Sequence, residues 1–244
     1  MGTLTRKQRE IQQREEMLLN VARKMLVDHG YAGLSMDRIA ELTEYSKGVV
    51  YQHFSSKEDL VTALAVQSLQ WRVEYFSRAA AFKGRPREKI MAVGVAEELF
   101  VRIHPHHFHS ERIIKMASLK ERVSDERLND LKSEQNQCFG KVRAIVQSAI
   151  DCGDLSLPPK LSPSDIVMAL WSLSMGGYSL MHTERELLIE NGVTAPFNGV
   201  RVHCHALLDG YGWKPLTAGW DYEQSYRRIL NEVFPEECLQ AGLE

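Results

Sequence analysis

β structure has almost nothing to work with in this sequence. No Asn-Gly pair stands between alternating apolar and polar runs, and the apolar residues recur at helical spacing instead. Cysteine is scarce. Cys138, Cys152, Cys204 and Cys238 lie far apart, with no CxxC or other metal-ligand spacing. With no secretory signal ahead of them, free thiols in a reducing cytoplasm are the expectation. No apolar run is long enough to cross a bilayer. The nearest, Ile166 to Met181, is interrupted by Ser172, Ser174, Gly176 and Gly177. Excess charge is missing too. Thirty Lys and Arg face 32 Asp and Glu, a net −2, which excludes a protein that coats nucleic acid by bulk charge. A sequence-specific binder needs only a local basic face and stays open. There is no Gly-rich phosphate loop, nucleophile elbow or HExxH, so neither an enzyme nor a cofactor is expected.

What is present is an all-α pattern in 244 residues, 44% of them apolar, enough for one large or two small domains. Ile11, Leu18, Val21, Ala22, Met25 and Leu26 share a helical stripe. Asp28-His29-Gly30 closes that helix, with Gly30 as a left-handed cap. Ser35 caps a helix over 36–42, Thr43 to Tyr45 make a turn, and Ser46 caps a helix over 47–53. Ser56 and Asp59 form a capping box before a long run to about Ala81. Lys83-Gly84-Arg85-Pro86-Arg87 is the clearest break. Further helices are expected at 86–103, 107–119, 124–152, 163–187, 196–212 and 221–234. Residues 12–72 and 86–244 then read as two domains. Ahead of them, residues 1–9 carry Arg6, Lys7 and Arg9 and no acid. They suit either a solvated, frayed tail or an arm that follows phosphates or enters a minor groove.

The segment 35–54 is a helix-turn-helix pattern. Ile39, Ala40, Val50 and Phe54 are its inward residues, and Ala40 is small enough for close helix crossing. A helix-turn-helix sets its second helix in the major groove, N-terminal residues nearest the bases. Those residues are Ser46, Lys47 and Gly48. Lys47 can donate to guanine or a phosphate, Gly48 lets backbone approach closely, and Gln52 can bond adenine bidentately. Tyr51 and His53 flank the groove at phosphate height. Ser35 and Lys57 sit at helix N-termini, where backbone N–H groups favour an anion.

The residues from about Glu15 to Arg72 strongly resemble the DNA-binding domain of the tetracycline-repressor (TetR) family of bacterial regulators. The resemblance rests on Gly30-Tyr31, Ser35, Ile39-Ala40, Ser46-Lys47-Gly48, Tyr51, His53-Phe54 and Lys57-Glu58-Asp59-Leu60. It implies an all-helical homodimer on a palindromic double-stranded operator. Three N-terminal helices would lie on the DNA, and a fourth would lead to a C-terminal domain for dimerisation and a small-molecule effector. Tyr51, His53 and Lys57 would contact phosphates, and Lys47, Gly48 and Gln52 would face bases. Repression is implied by the same analogy. Gln52 stands where an aromatic is frequent, and Val49 is apolar and suits a thymine methyl, so the operator sequence does not follow from the family.

The rest of the chain resembles the family in helix number and length alone. Its large, soft side chains include Phe100, Phe108, Met116, Met168, Trp171, Met175 and Tyr178, a set expected to line a mostly apolar effector pocket. Residues 165–181 are apolar nearly all round. With the stripe Val200, Cys204, Leu207, Leu208 and Tyr211 they are expected to supply a subunit interface, where Gly176 and Gly177 permit close approach. The dense group His104-Pro105-His106-His107-Phe108-His109 and the pair His203 and His205 offer an alternative, a helical-bundle metal-binding protein or a metal or haem sensor. The proline in the first group and the i, i+2 spacing in the second weigh against it.

Overall fold

The computed structural model describes residues 5–105, 108 and 121–243, and every regular element among them is helical. Contacts group Met1–Trp71 with His104–Gln135, and Arg72–Ile103 with Asn136–Glu244. This division is not a cut between residues 72 and 86, because the stretch 104–135 joins the N-terminal unit.

The N-terminal unit is built on α1 (Arg6–Gly33), α2 (Met36–Thr43), α3 (Lys47–His53) and the start of α4 (Lys57–Ala80). Thr5 opens α1 with a capping box. Its hydroxyl accepts from Gln8 N, and Gln8 Oε1 accepts from Thr5 N at 2.9 Å. From residue 5 onward the N-terminus is therefore helix and not a frayed tail. The buried stripe of α1 begins later than its periodicity suggests. Leu18, Leu19, Ala22, Met25 and Leu26 are buried, but Ile11 is 41% exposed. At Gly30 the backbone turns to φ +64°, ψ −177°, which kinks the helix instead of ending it, and one more turn follows.

Capping defines the next two helices as their serines suggest. Ser35 accepts from Arg38 N, and Ser46 from Val49 N. Glu44, at φ 58°, closes the turn between them in the left-handed region. Ile39, Ala40, Val50 and Phe54 are all buried in one cluster with α1 and Leu60. Removing a side chain the size of Val50 or Phe54 from water stabilises the unit by about 1.5–3 kcal/mol.

The other unit holds α5 (Pro86–Ile103), most of α6 (Asp125–Asp151), α7 (Pro163–Thr183), α8 (Arg185–Glu190), α9 (Pro196–Gly210), α10 (Tyr222–Val233) and α11 (Pro235–Gln240). The single helix expected over 163–187 is two, broken at Glu184 with φ −126°, ψ 31°. Helix α5 packs on α10 and α11, and α7 runs along α9. At Gly177 an added Cβ would collide with Val200 Cγ2, so this glycine brings α7 onto α9 within one subunit. A Cβ added at Gly176 would meet nothing within 4 Å. Arg87, 0% exposed, donates to the carbonyls of Trp213, Pro215 (2.8 Å) and His205 (3.1 Å) and pairs with Asp209 at 2.6 Å. A buried guanidinium is tolerable only with several such partners.

Candidate nucleic-acid interface

Helix α3 is seven residues long and buries one of them, Val50. Ser46, Lys47, Gly48, Tyr51 and Gln52 are exposed, and Val49 is half-buried. The polar and apolar faces of α3 are thus cleanly separated. Val50 and Phe54 fix it to the core, and Ser46, Lys47, Gly48, Tyr51 and Gln52 point outward. A Cβ at Gly48 would find only Ser46 Oγ, at 3.8 Å. Nothing inside the fold requires glycine there.

Lys47 is not idle in this conformation. Its Nζ lies 2.7 Å from Asp37 Oδ2 of α2, and both side chains are more than half exposed. The hydrogen bond to Asp37 raises the lysine pKa, so the ammonium stays charged. The neighbouring pair Arg38–Glu41, at 2.8 Å, keeps a second cation on the same surface in balance.

Two residues expected to reach phosphates have intramolecular partners. The His53 side chain is 8% exposed and turned to Glu15 of α1, with Nδ1 3.9 Å from Oε2. Burial lowers its pKa, with Arg14 opposing protonation and Glu15 favouring it. This imidazole holds α3 to α1; it does not stand at the groove edge. Lys57 places Nζ 4.2 Å from the Tyr31 ring centroid, and Tyr31 donates to Glu58 at 2.9 Å. Ser35 is exposed and serves as the α2 cap.

The exit of α3 is tied to residues far along the chain. Asp59, 4% exposed, accepts from Ser55 N (3.1 Å) through Oδ2 and from the Ser124 hydroxyl (2.8 Å) and N–H (3.2 Å) through Oδ1. Ser56 caps α4 by accepting from Asp59 N at 2.9 Å and donates to Arg122 O at 2.6 Å. The capping box is thus displaced by one residue, since Asp59 returns to Ser55 and not to Ser56. Arg127 pairs with Glu15 at 3.3 Å and lies 5.8 Å from the Phe54 ring. A separation of 65 residues between Asp59 and Ser124 leaves no local signal, so the sequence shows Asp59 only as a capping acid. Asp37 is hidden for the same reason.

The residues expected to line an effector pocket are not gathered into one place. Phe100 is buried against Tyr75 (6.1 Å) and under Arg72 (4.6 Å), and Tyr178 is buried beside Phe197 (5.7 Å). Met175 is half-buried. Met168 and Trp171 are 57% and 48% exposed, so neither is enclosed in the interior of a single subunit. Phe108 is buried and belongs to the N-terminal unit, and Met116 lies outside the described residues. Nor is the surrounding interior purely apolar. Arg72–Glu97 (3.0 Å) and Arg102–Glu98 (2.8 Å) are ion pairs within it. A half-open hollow of ≈ 200 Å³ lined by Glu88, Trp220, Asp221, Ser225 and Arg228 includes none of the expected residues.

Of the histidine group, His106, His107 and His109 lie outside the described residues, and the His104 ring is 5.0 Å from that of Trp71. His203 is exposed, whereas His205 packs on Tyr222 at 4.5 Å, so the two rings diverge. Among the described residues no three His, Cys, Asp or Glu side chains could hold a metal, and no helix is long and apolar enough to cross a membrane.

An all-helical chain with a capped α2–turn–α3 unit and an outward polar α3 face belongs to the helix-turn-helix class. The profile of bacterial regulatory proteins of the tetR family matches residues 18–64. The HTH-type transcriptional repressor AcnR of Corynebacterium diphtheriae is 39% identical over 56 residues, 23% of this chain and 30% of AcnR. The alignment thus spans under a third of that relative's length. The crystal structure of PfmR, a TetR-family regulator from Thermus thermophilus, superposes with a TM-score of 0.58 at 18% identity, covering 79% of this chain and 97% of PfmR. AibR, crystallised with isovaleryl coenzyme A and operator DNA, gives 0.51 at 21% identity over 68% of this chain and 86% of AibR. Residues 18–64 thus match the DNA-binding domain of the tetR family of bacterial regulators, and the remainder shares the fold of the TetR-family structures.

Proposed function

We propose that two copies of this chain bind a palindromic double-stranded operator through α3, repress transcription in the cytoplasm, and release DNA when a small, mostly apolar effector binds. One observation carries the DNA reading. Ser46, Lys47, Gly48, Tyr51 and Gln52 form an exposed, polar face on a helix whose Val50 is fully buried. Phosphate contacts set register and base contacts set sequence. Lys47 and Gln52 supply the second, Tyr51 and Lys57 the first.

Pairing is supported by α7, of whose 21 residues three are buried in the subunit. Met168, Trp171 and Leu180 stay exposed on it and leave apolar surface uncovered. A second copy answers it by symmetry. Repression and effector control are supported by the likeness to AcnR and to the ligand-bound AibR. Phe100 and Tyr178 would serve an acyl or aromatic group, with the nearby ion pairs for a polar head.

The test is selection of bound DNA from a random pool, followed by titration at several salt concentrations. A palindromic site, bound with a steep salt dependence that Tyr51→Ala and Lys57→Ala weaken, supports the proposal. Sedimentation of Trp171→Glu should show a monomer with poor operator affinity. A panel of acyl thioesters and aromatic acids that changes neither thermal stability nor operator affinity would remove the effector from the reading.

A further inference from the structure

The first three turns of α1 have no structural work to do within the subunit. Residues 5–13 are all exposed, and the core of α1 starts at Leu18. The nine residues from Thr5 to Gln13 make an overhang of about 13 Å at the usual helical rise. Two contacts show where it goes. The Arg14 guanidinium is 5.4 Å from the centroid of Tyr45, which immediately precedes the cap of α3. Glu15, the next residue, is the partner of His53 at the other end of α3. Helix α1 therefore crosses α3 at residues 14 and 15. Before that crossing it packs on nothing; after it, it enters the core that Val50 and Phe54 share. Residues 5–13 accordingly project beyond the crossing with α3, outside the core and in solvent.

Their chemistry suits a polyanion next to α3. Between residues 6 and 14 there are four cations, Arg6, Lys7, Arg9 and Arg14, against one acid, Glu10, in a chain whose net charge is −2. Arg6 is held by Glu10 at 2.8 Å, and Lys7 and Arg9 stand in solvent. We infer that the α1 overhang is a second DNA-contact element. It lays Lys7 and Arg9 along the phosphate backbone of double-stranded DNA just outside the half-site that α3 reads. The inference rests on the DNA reading above and extends the footprint beyond it. Contacts of this kind raise affinity and salt dependence and leave sequence choice alone.

The experiment compares the wild-type chain with Lys7→Ala/Arg9→Ala on two duplexes. One ends at the edges of the selected site, and the other carries a further helical turn on each side. Wild type should prefer the longer duplex. The double variant should lose that preference, bind the long duplex about tenfold or more weakly, and show a salt slope shallower by roughly 0.9 for each phosphate contact removed. Lys7→Arg/Arg9→Lys should behave as wild type, and circular dichroism should show both variants folded. Undiminished binding of the alanine variant to both duplexes, or an equal loss on both, overturns the overhang contact while the function of α3 stands. A wild-type chain that binds no duplex at all overturns the DNA reading and this extension with it.

Discussion

The carboxylate of Asp59 takes the Ser124 hydroxyl at 2.8 Å while its other oxygen holds Ser55 N at 3.1 Å. One buried acid thus joins the loop after α3 to the start of α6. A hydrogen bond to a charged buried acceptor contributes about 1.5–3 kcal/mol. Asp59→Ala should lower unfolding stability by about that much in urea titrations. A double-mutant cycle with Ser124→Ala should return a coupling of about 1 kcal/mol or more. A coupling of zero would show that Asp59 serves only as a helix cap.

Lys47 and Asp37 make a second test. An exposed pair adds little to stability, about 0–1 kcal/mol. Asp37→Asn should therefore leave urea stability nearly unchanged. Its removal frees the ammonium and takes a negative charge from beside the DNA, so fluorescence anisotropy should show tighter binding to random duplex. Lys47→Ala should cost about 1–3 kcal/mol on the selected site if the lysine reads guanine. An Asp37→Asn protein with weaker affinity for every duplex would mean that the carboxylate positions Lys47 instead of restraining it.

The glycines of α7 separate packing within a subunit from packing outside it. Gly177→Ala drives a methyl into Val200 and should destabilise by about 1–3 kcal/mol, with partial rescue by Val200→Ala. Gly176→Ala meets nothing and should gain up to about 1 kcal/mol from helix propensity. Thermal melts of the three variants decide it.

His205 gives the fold a pH dependence of known sign. Burial first, then the charge of Arg87, pushes its pKa down to about 4 from 6.5. Below pH 6.5 the unfolded chain takes up a proton that the folded imidazole refuses, so stability falls as pH drops and levels near 4. The effect is at most about 3 kcal/mol before solvent screening reduces it. His53, lowered too, adds in the same direction. His205→Gln should flatten urea stability between pH 7 and 5, and an unchanged slope would assign the dependence elsewhere.

The helix-turn-helix was legible because its signals are local. Ser35, Ser46 and the Val50–Phe54 spacing act within a turn or two, and α2, α3 and α5 fall within a residue of their expected bounds. What failed to show was long-range or depended on which face found a neighbour. Ile11 continues the apolar stripe of α1, yet no helix comes to meet it. His53 reads as a groove residue until Glu15 arrives from 38 positions away to claim it. Trp171 and Met168 look like pocket material because an apolar side chain declares its need for cover and not the direction from which cover comes.

Arg87 grips backbone carbonyls at 205, 213 and 215, with Asp209 as its ion-pair partner. A carbonyl is the same on every residue, so the lock recognises the course of the chain and is blind to its spelling. Mutational drift can rewrite those three positions wherever their own packing allows and leave the grip intact. Arg87 itself has no understudy, since lysine brings a compact charge without the planar fork that reaches several acceptors at once.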